Sequence, residues 1–169
     1  AAIEAFDETI FEESVLTNAG IIKCENATFS PLSDDIANIF FTDPPYYDAV
    51  PYSDLSDFFY VWLRRMIGYL HPELFINISA PKKDECIVDK TKGKDSQYFE
   101  STMTQAMAEG RRILIPDGIG VVVFAHKSTS GWESMIQAMI ESGWTFTGSW
   151  PIDTERPGRL RAMNSAALA

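Results

Sequence analysis

The sequence is poor in the residues that build metal sites and disulfide frameworks: its 169 residues include two cysteines and two histidines. Cys24 and Cys86 stand far apart with no Cys-x-x-Cys partner, and His71 and His126 each sit alone, so no metal site is expected. Two unpaired thiols suit a reducing compartment. Long apolar runs are missing too. None approaches the roughly 20 residues that span a bilayer, and residues 1–13 are acidic where a secretion signal would be basic. A cytoplasmic protein with no membrane contact is the expectation. Positive charge is scarce, with 14 Lys and Arg against 24 Asp and Glu and a formal net charge of −10. This excludes a domain whose whole surface attracts nucleic acid, because Lys and Arg supply most non-specific affinity for phosphate. Basic residues cluster only locally, at Lys82-Lys83, at Lys90, Lys92 and Lys94, and at Arg156, Arg159 and Arg161; a solvated loop is the bland alternative for each.

What is present is a globular composition, 46% hydrophobic and 22% charged, in a chain the length of one domain. Ala2, Ile3, Phe6, Ile10 and Phe11 recur at helical spacing and predict an amphipathic helix over residues 2 to 13. Ile21-Ile22-Lys23-Cys24 is a short strand candidate. Ala37 to Thr42 is apolar and β-prone, the pattern of a fully buried strand, and Pro44-Pro45 ends it. Leu55, Phe58, Phe59, Trp62, Leu63, Met66 and Leu70 mark a helix from about Ser53 to His71, closed by Pro72. Residues 80–97 are charged and weakly apolar, which predicts a flexible loop or insertion. A helix over residues 98 to 114, a turn at Pro116-Asp117-Gly118, a strand over 120 to 125, a helix over 131 to 142 and a strand over 144 to 150 follow. Continuously apolar strands separated by helices indicate an α/β fold, a mostly parallel sheet with helices on both faces, in one domain spanning 1–169.

Ligands in open α/β sheets bind beyond the carboxyl ends of the strands. Asp43-Pro44-Pro45-Tyr46 falls there. A given tetrapeptide occurs by chance in on the order of one chain in a thousand of this length, and its place directly after a buried strand makes chance rarer still. A tight proline turn with a packed tyrosine is the alternative. The residue types suit transfer of a methyl group to a planar amine. The nitrogen lone pair of an exocyclic base amine is delocalised into the ring, and it attacks a sulfonium methyl only when the amine is held near tetrahedral geometry. Asp43 and the Pro44 carbonyl, fixed by the stiff Pro44-Pro45 backbone, could each accept an amino hydrogen, and Tyr46 could stack on a base rotated out of the duplex. Tyr47 and Tyr52 are further candidates for the base pocket, with core packing the alternative for each. Neither cysteine is placed as a nucleophile.

The stretch from Thr42 through Asp43-Pro44-Pro45-Tyr46-Tyr47-Asp48-Ala49-Val50-Pro51-Tyr52 to Arg65 resembles the large prokaryotic adenine-specific DNA methylases, which carry the signature Asp-Pro-Pro-Tyr. The resemblance extends through Val122 to Lys127, Trp132, Trp150-Pro151 and Thr154-Glu155. It implies a Rossmann-like methyltransferase sheet, S-adenosylmethionine as methyl donor and N6-methyladenine as product, with N4-methylcytosine second. Asp43, Pro44, Pro45 and Tyr46 would be the catalytic residues, and Asn26, Ala27 and Asp43 would lie at the donor. Arg156, Arg159 and Arg161 would touch DNA, the target duplex being held mostly by parts outside this chain. The glycine-rich turn that cradles the donor in such folds is missing: Gly118-Ile119-Gly120 precedes a strand where that turn would follow one. A fragment of a catalytic domain is therefore expected. The competing expectations are a non-catalytic domain that keeps this fold for binding or assembly, and an amino-methyltransferase acting on cytosine N4, RNA or a protein amide.

Overall fold

Apolar, β-prone residues mark the two places where the chain pairs with itself. The computed structural model describes Gly20, Ile21 and residues 23–151. In it β1 (Ala37–Thr42) and β2 (Leu114–Val122) form a parallel two-stranded sheet, so the chain is α/β. Ile39 pairs with Ile119, Phe40 with Gly120, Phe41 with Val121 and Thr42 with Val122, and the Val123 N–H adds a bond to the Thr42 carbonyl at 2.9 Å. The register shifts between Ala37 and Ile39. Four β2 residues, Ile115-Pro116-Asp117-Gly118, stand against the single Asn38 of β1, where a turn is expected from sequence. They remain in the strand as a bulge, since Pro116 has no N–H to offer the ladder and pairing on either side holds the ends.

Three α-helices accompany the sheet among the described residues: α1 (Tyr52–Ile67), α2 (Ser96–Ile113) and α3 (Thr129–Glu141). α1 stops four residues short of the expected His71, and Pro72 opens a separate 3-10 turn, Pro72–Leu74. Asp95 caps α2 by accepting the Tyr98 N–H at 2.8 Å, and the Ser128 hydroxyl caps α3 by accepting the Gly131 N–H at 3.3 Å. Each cap satisfies a first-turn N–H that has no partner within its helix. Phe99, Met103 and Met107 line one face of α2 at four-residue spacing and meet Met135 and Ala138 of α3, with Phe124 just beyond β2. Gly110 brings α2 close to the sheet, for a Cβ there would lie 2.5 Å from the Phe40 ring.

Phe40 thus faces the core while its neighbours Ile39 and Phe41 point away, as alternation along a strand requires. Ile39, Phe41, Ile119 and Val121 are all exposed. The expected fully buried strand with helices on both faces is not found among the described residues, because α1 approaches neither strand. Two expected strands are also missing there. Ile21, Lys23 and Cys24 join no strand among the described residues. In the segment 144–150, Trp144 is used as a plug: its ring stacks on Phe40 at 5.8 Å between centroids and its Nε1 donates to the Met107 carbonyl at 2.9 Å. The helix expected over residues 2 to 13, Ile22, Thr154-Glu155 and Arg156, Arg159 and Arg161 lie outside the described residues.

Residues 80–97 contain only a 3-10 turn, Lys90–Lys92, and the isolated pairing of Asp89 with Lys94 before α2 begins. They are nevertheless fastened down. Ile87 and Lys94 are buried. Lys82 binds Asp57 at 2.7 Å and Lys92 binds Asp54 at 2.5 Å, tying the segment to α1. The Lys94 ammonium donates to the carbonyls of Lys82 and Glu85 at 2.8 and 2.6 Å. These three lysines are engaged in structure and form no open basic surface.

A second fastening joins residues 30–36 to the end of α2. Arg112 donates from Nη2 to Glu109 at 2.6 Å and to the Leu32 carbonyl at 2.8 Å, and pairs with Asp34 through Nη1; the Ser30 N–H donates to Glu109 at 2.6 Å. The Arg112 guanidinium first, and then the Ser30 N–H, pull the Glu109 carboxyl down from 4.5 to about 2. A carboxyl whose folded-state pKa is depressed adds stability that is fully present above its unfolded-state value and disappears as pH falls through its folded-state value. Urea melts of Glu109→Gln should therefore show a loss against wild type at pH 7 that closes between pH 4.5 and about 2. An equal loss at both ends would mean that Glu109 acts through packing.

Candidate active site at the end of the first strand

The ladder bond from Val123 to Thr42 holds the chain up to the residue before Asp43. Asp43 therefore emerges at the carboxyl end of a parallel strand, with an exposed side chain, while Pro44 behind it is buried. The following backbone folds back on itself: the Tyr47 N–H donates to the Pro45 carbonyl at 3.1 Å and the Ala49 N–H to the Tyr46 carbonyl at 2.9 Å. Tyr47 adopts φ 55°, a left-handed conformation unfavourable for a bulky residue.

That reversal sends the two tyrosines to different places. Tyr46 stays half-buried, its ring edge-on to Phe124 at 5.5 Å, and its hydroxyl donates to Asp43 Oδ1 at 2.6 Å. Burial first, and then the bond to Asp43 and the charge of its carboxylate, push the phenol well above its ordinary range, so Tyr46 is a donor at neutral pH. Tyr47 is buried against Phe99 at 5.1 Å and His126 at 5.5 Å. Its ring packs in the core, the alternative given for it from sequence. Tyr52 opens α1, is 40% exposed and lies within electrostatic reach of Tyr46 and Asp43. Asp43, Tyr46 and Tyr52 are therefore brought together and Tyr47 is not.

The residues expected at the donor show no comparable convergence. Asn26 heads an exposed turn in which its Oδ1 accepts both the N–H and the hydroxyl of Thr28 at 2.9 Å, and Ala27 lies in that turn. A cavity of about 360 Å³ adjoins the far side of the motif loop, lined by Asp48, Val50, Pro51, Ile87, Val88, Asp89 and Lys90, and includes neither Asp43 nor Tyr46. Among the described residues no group of His, Cys, Asp or Glu could hold a metal ion, and no helix is long and apolar enough to cross a membrane. Cys86 is half-buried, and desolvation lifts its thiol to about 12, away from the reactive thiolate.

Two partners of the site were not visible in the spacing of the sequence. Glu85 accepts the N–H and the hydroxyl of Ser53 at 2.8 and 2.5 Å, placing a carboxylate at the first turn of α1. His126, alone in sequence, is buried and bonds to Asp48, 78 residues away. Its place directly after an apolar strand was the one hint of burial. Compared with protein families, curated proteins and solved structures, the chain matches none.

Proposed function

We propose that this chain carries the amine-holding half of an S-adenosylmethionine-dependent DNA methyltransferase that modifies the N6 of adenine. The observation that carries the reading is an exposed Asp43 carboxylate at the carboxyl end of a parallel strand, followed by a buried Pro44 and a half-buried Tyr46. In this reading Asp43 accepts one hydrogen of the adenine amine and turns the nitrogen lone pair out of the ring plane, and the Tyr46 ring takes the base extruded from the duplex. The Rossmann-like completion of the sheet belongs to the same reading. The donor side has less support among the described residues, since Asn26 is turned toward Thr28 and the cavity beside the motif loop is lined by neither Asp43 nor Tyr46. The proposal therefore assigns residues on the amine side alone. DNA is the partner, held mostly by other parts of the protein, and the compartment is cytoplasmic.

The bond from Tyr46 to Asp43 favours a second reading, in which the carboxylate is satisfied internally and the domain serves binding or assembly without catalysis. One pair of measurements separates them. The protein is incubated with unmethylated duplex DNA and methyl-labelled S-adenosylmethionine, the digested nucleosides are analysed by mass spectrometry, and donor binding is followed by calorimetry. N6-methyladenine is the expected product. Label on cytosine N4 would move the target, and neither transfer nor donor binding would leave the non-catalytic reading.

Tyr46 supplies a prediction of its own. Tyr46→Ala should weaken binding of an extruded base by about 1–3 kcal/mol, the usual worth of base stacking on an aromatic side chain. Tyr46→Phe keeps the ring and releases Asp43 from its internal donor, so it should bind the base at least as well as wild type. Fluorescence of 2-aminopurine at the target position reports this, and a phenylalanine variant as weak as the alanine one would show that the hydroxyl, and not the ring, holds the base.

A further inference from the structure

We infer that His126 is a positioning residue for Asp43-Pro44-Pro45-Tyr46, bracing the turn after the motif through a hydrogen bond to Asp48; its catalytic consequence rests on the methyl-transfer reading above. The turn needs a brace, because Tyr47 holds a left-handed backbone with φ 55° and such a conformation persists only where its surroundings impose it. His126 reaches that turn twice. Its Nε2 lies 2.9 Å from Asp48 Oδ1, and its ring meets Tyr47 edge-on at 5.5 Å.

His126 is itself held in one orientation. Its side chain is 2% exposed, and the Ser128 backbone N–H donates to Nδ1 at 3.1 Å. An Nδ1 that accepts is unprotonated, so the ring proton sits on Nε2 and points at the Asp48 carboxylate. The approach of Nδ1 to the Ser128 carbonyl, which would need the opposite tautomer, is longer at 3.4 Å. The Ser128 hydroxyl lies 2.8 Å from the same Nδ1. Serine, histidine and aspartate in a row would suit nucleophilic catalysis, but the Ser128 hydroxyl is also the α3 cap, taking the Gly131 N–H at 3.3 Å. Its work is to fix the ring. Gly131 makes room for this, since a Cβ there would lie 2.3 Å from Nδ1.

The brace thus ties the loop after β1 to the segment after β2. Asp43 follows the last ladder bond and keeps its place without it; residues 44–49 are otherwise held by the Val88 N–H on the Tyr47 carbonyl at 3.0 Å and by the packing of Tyr47 on Phe99, and the brace adds the side-chain tie at Asp48. Loss of His126 should let the Tyr46 ring stray from its place beside the end of β1 and so slow turnover while leaving donor binding alone.

Hydrogen exchange of the segment 43–50 in the full chain tests the brace without reference to activity. His126→Phe keeps an aromatic ring but no Nε2–H, His126→Gln keeps an N–H at similar reach, and Asp48→Ala removes the acceptor. His126→Phe and Asp48→Ala should raise exchange in that segment about tenfold or more, with α2 unchanged, and His126→Gln should restore protection. The Asp48 side chain is 55% exposed, so Asp48→Ala stays informative even if His126→Phe unfolds. Unchanged exchange in Asp48→Ala overturns the brace. In the methylation assay, His126→Phe should lower kcat about tenfold with donor Kd within about twofold, and His126→Gln should recover it. Loosened exchange with undiminished kcat overturns the positioning role alone. Absence of transfer by wild type, with exchange behaving as described, overturns the methyl-transfer reading and leaves the brace standing.

Discussion

Asp43→Ala is expected to reduce methyl transfer more than a hundredfold, about 2.7 kcal/mol in barrier, while S-adenosylmethionine affinity stays within a few-fold. The magnitude follows from what the carboxylate does. An acceptor aimed at the reacting amine acts on the charge that develops as the nitrogen attacks, and removal of one such preorganised group typically costs about 10²–10³ in rate. On the proposed reading Asp43 acts on the amine and not on the sulfonium, so donor affinity should be insulated from the change. Folding should be insulated as well, because the Asp43 side chain is exposed and its one internal partner among the described contacts is the Tyr46 hydroxyl. Asp43→Asn, which keeps one oxygen acceptor and loses the charge, should fall between the two. Transfer by Asp43→Ala within about tenfold of wild type, roughly 1.4 kcal/mol, would remove the carboxylate from the mechanism.

The second large effect concerns stability. Phe99 is fully buried and backs the motif through the Tyr47 ring at 5.1 Å. Phe99→Ala should cost about 3–5 kcal/mol, the sum of lost transfer free energy and an unfilled cavity. Against a total domain stability of about 5–15 kcal/mol this is a large share. Phe99→Leu retains most of the buried volume and should cost far less. Urea denaturation followed by tryptophan fluorescence measures both. A loss below about 1.5 kcal/mol for the alanine variant would mean that the surroundings collapse onto the site, and that Tyr47 is held by His126 and its own backbone bonds alone.

Local periodicity carried much of the fold. The stripe from Leu55 to Met66, the helix expected over 98 to 114 and the apolar run at 37–42 each became the kind of element expected of them, while the strand expected over 120 to 125 runs instead from Leu114 to Val122. Periodicity failed where a contact distant in sequence decided the outcome. Pro116-Asp117-Gly118 has the composition of a turn, but pairing with β1 on both sides kept it in the strand. Trp144 and Phe146 alternate as strand residues do, yet the bond from Trp144 to the Met107 carbonyl commits that backbone to packing against α2. The burial expected on both faces of β1 depends on elements that the described residues do not supply. At the site, the place of Asp43 and Tyr46 at the end of β1 was legible because the four residues are consecutive and follow an apolar strand. The bond between them, the burial of Tyr47 and the bond from His126 to Asp48 depend on one left-handed residue and on a contact spanning 78 positions, neither of which spacing encodes.

The parallel pairing of β1 with β2 also sets when the site can exist. Roughly 70 residues separate the paired strands, and closing a loop of that length costs about 4 kcal/mol of chain entropy before any ladder bond is returned. Such non-local contacts form late on a folding route, after helices whose contacts lie within a few turns. During synthesis Asp43 leaves the ribosome long before Val122 and His126, so the nascent chain carries the complete tetrapeptide with nothing yet to hold it in place.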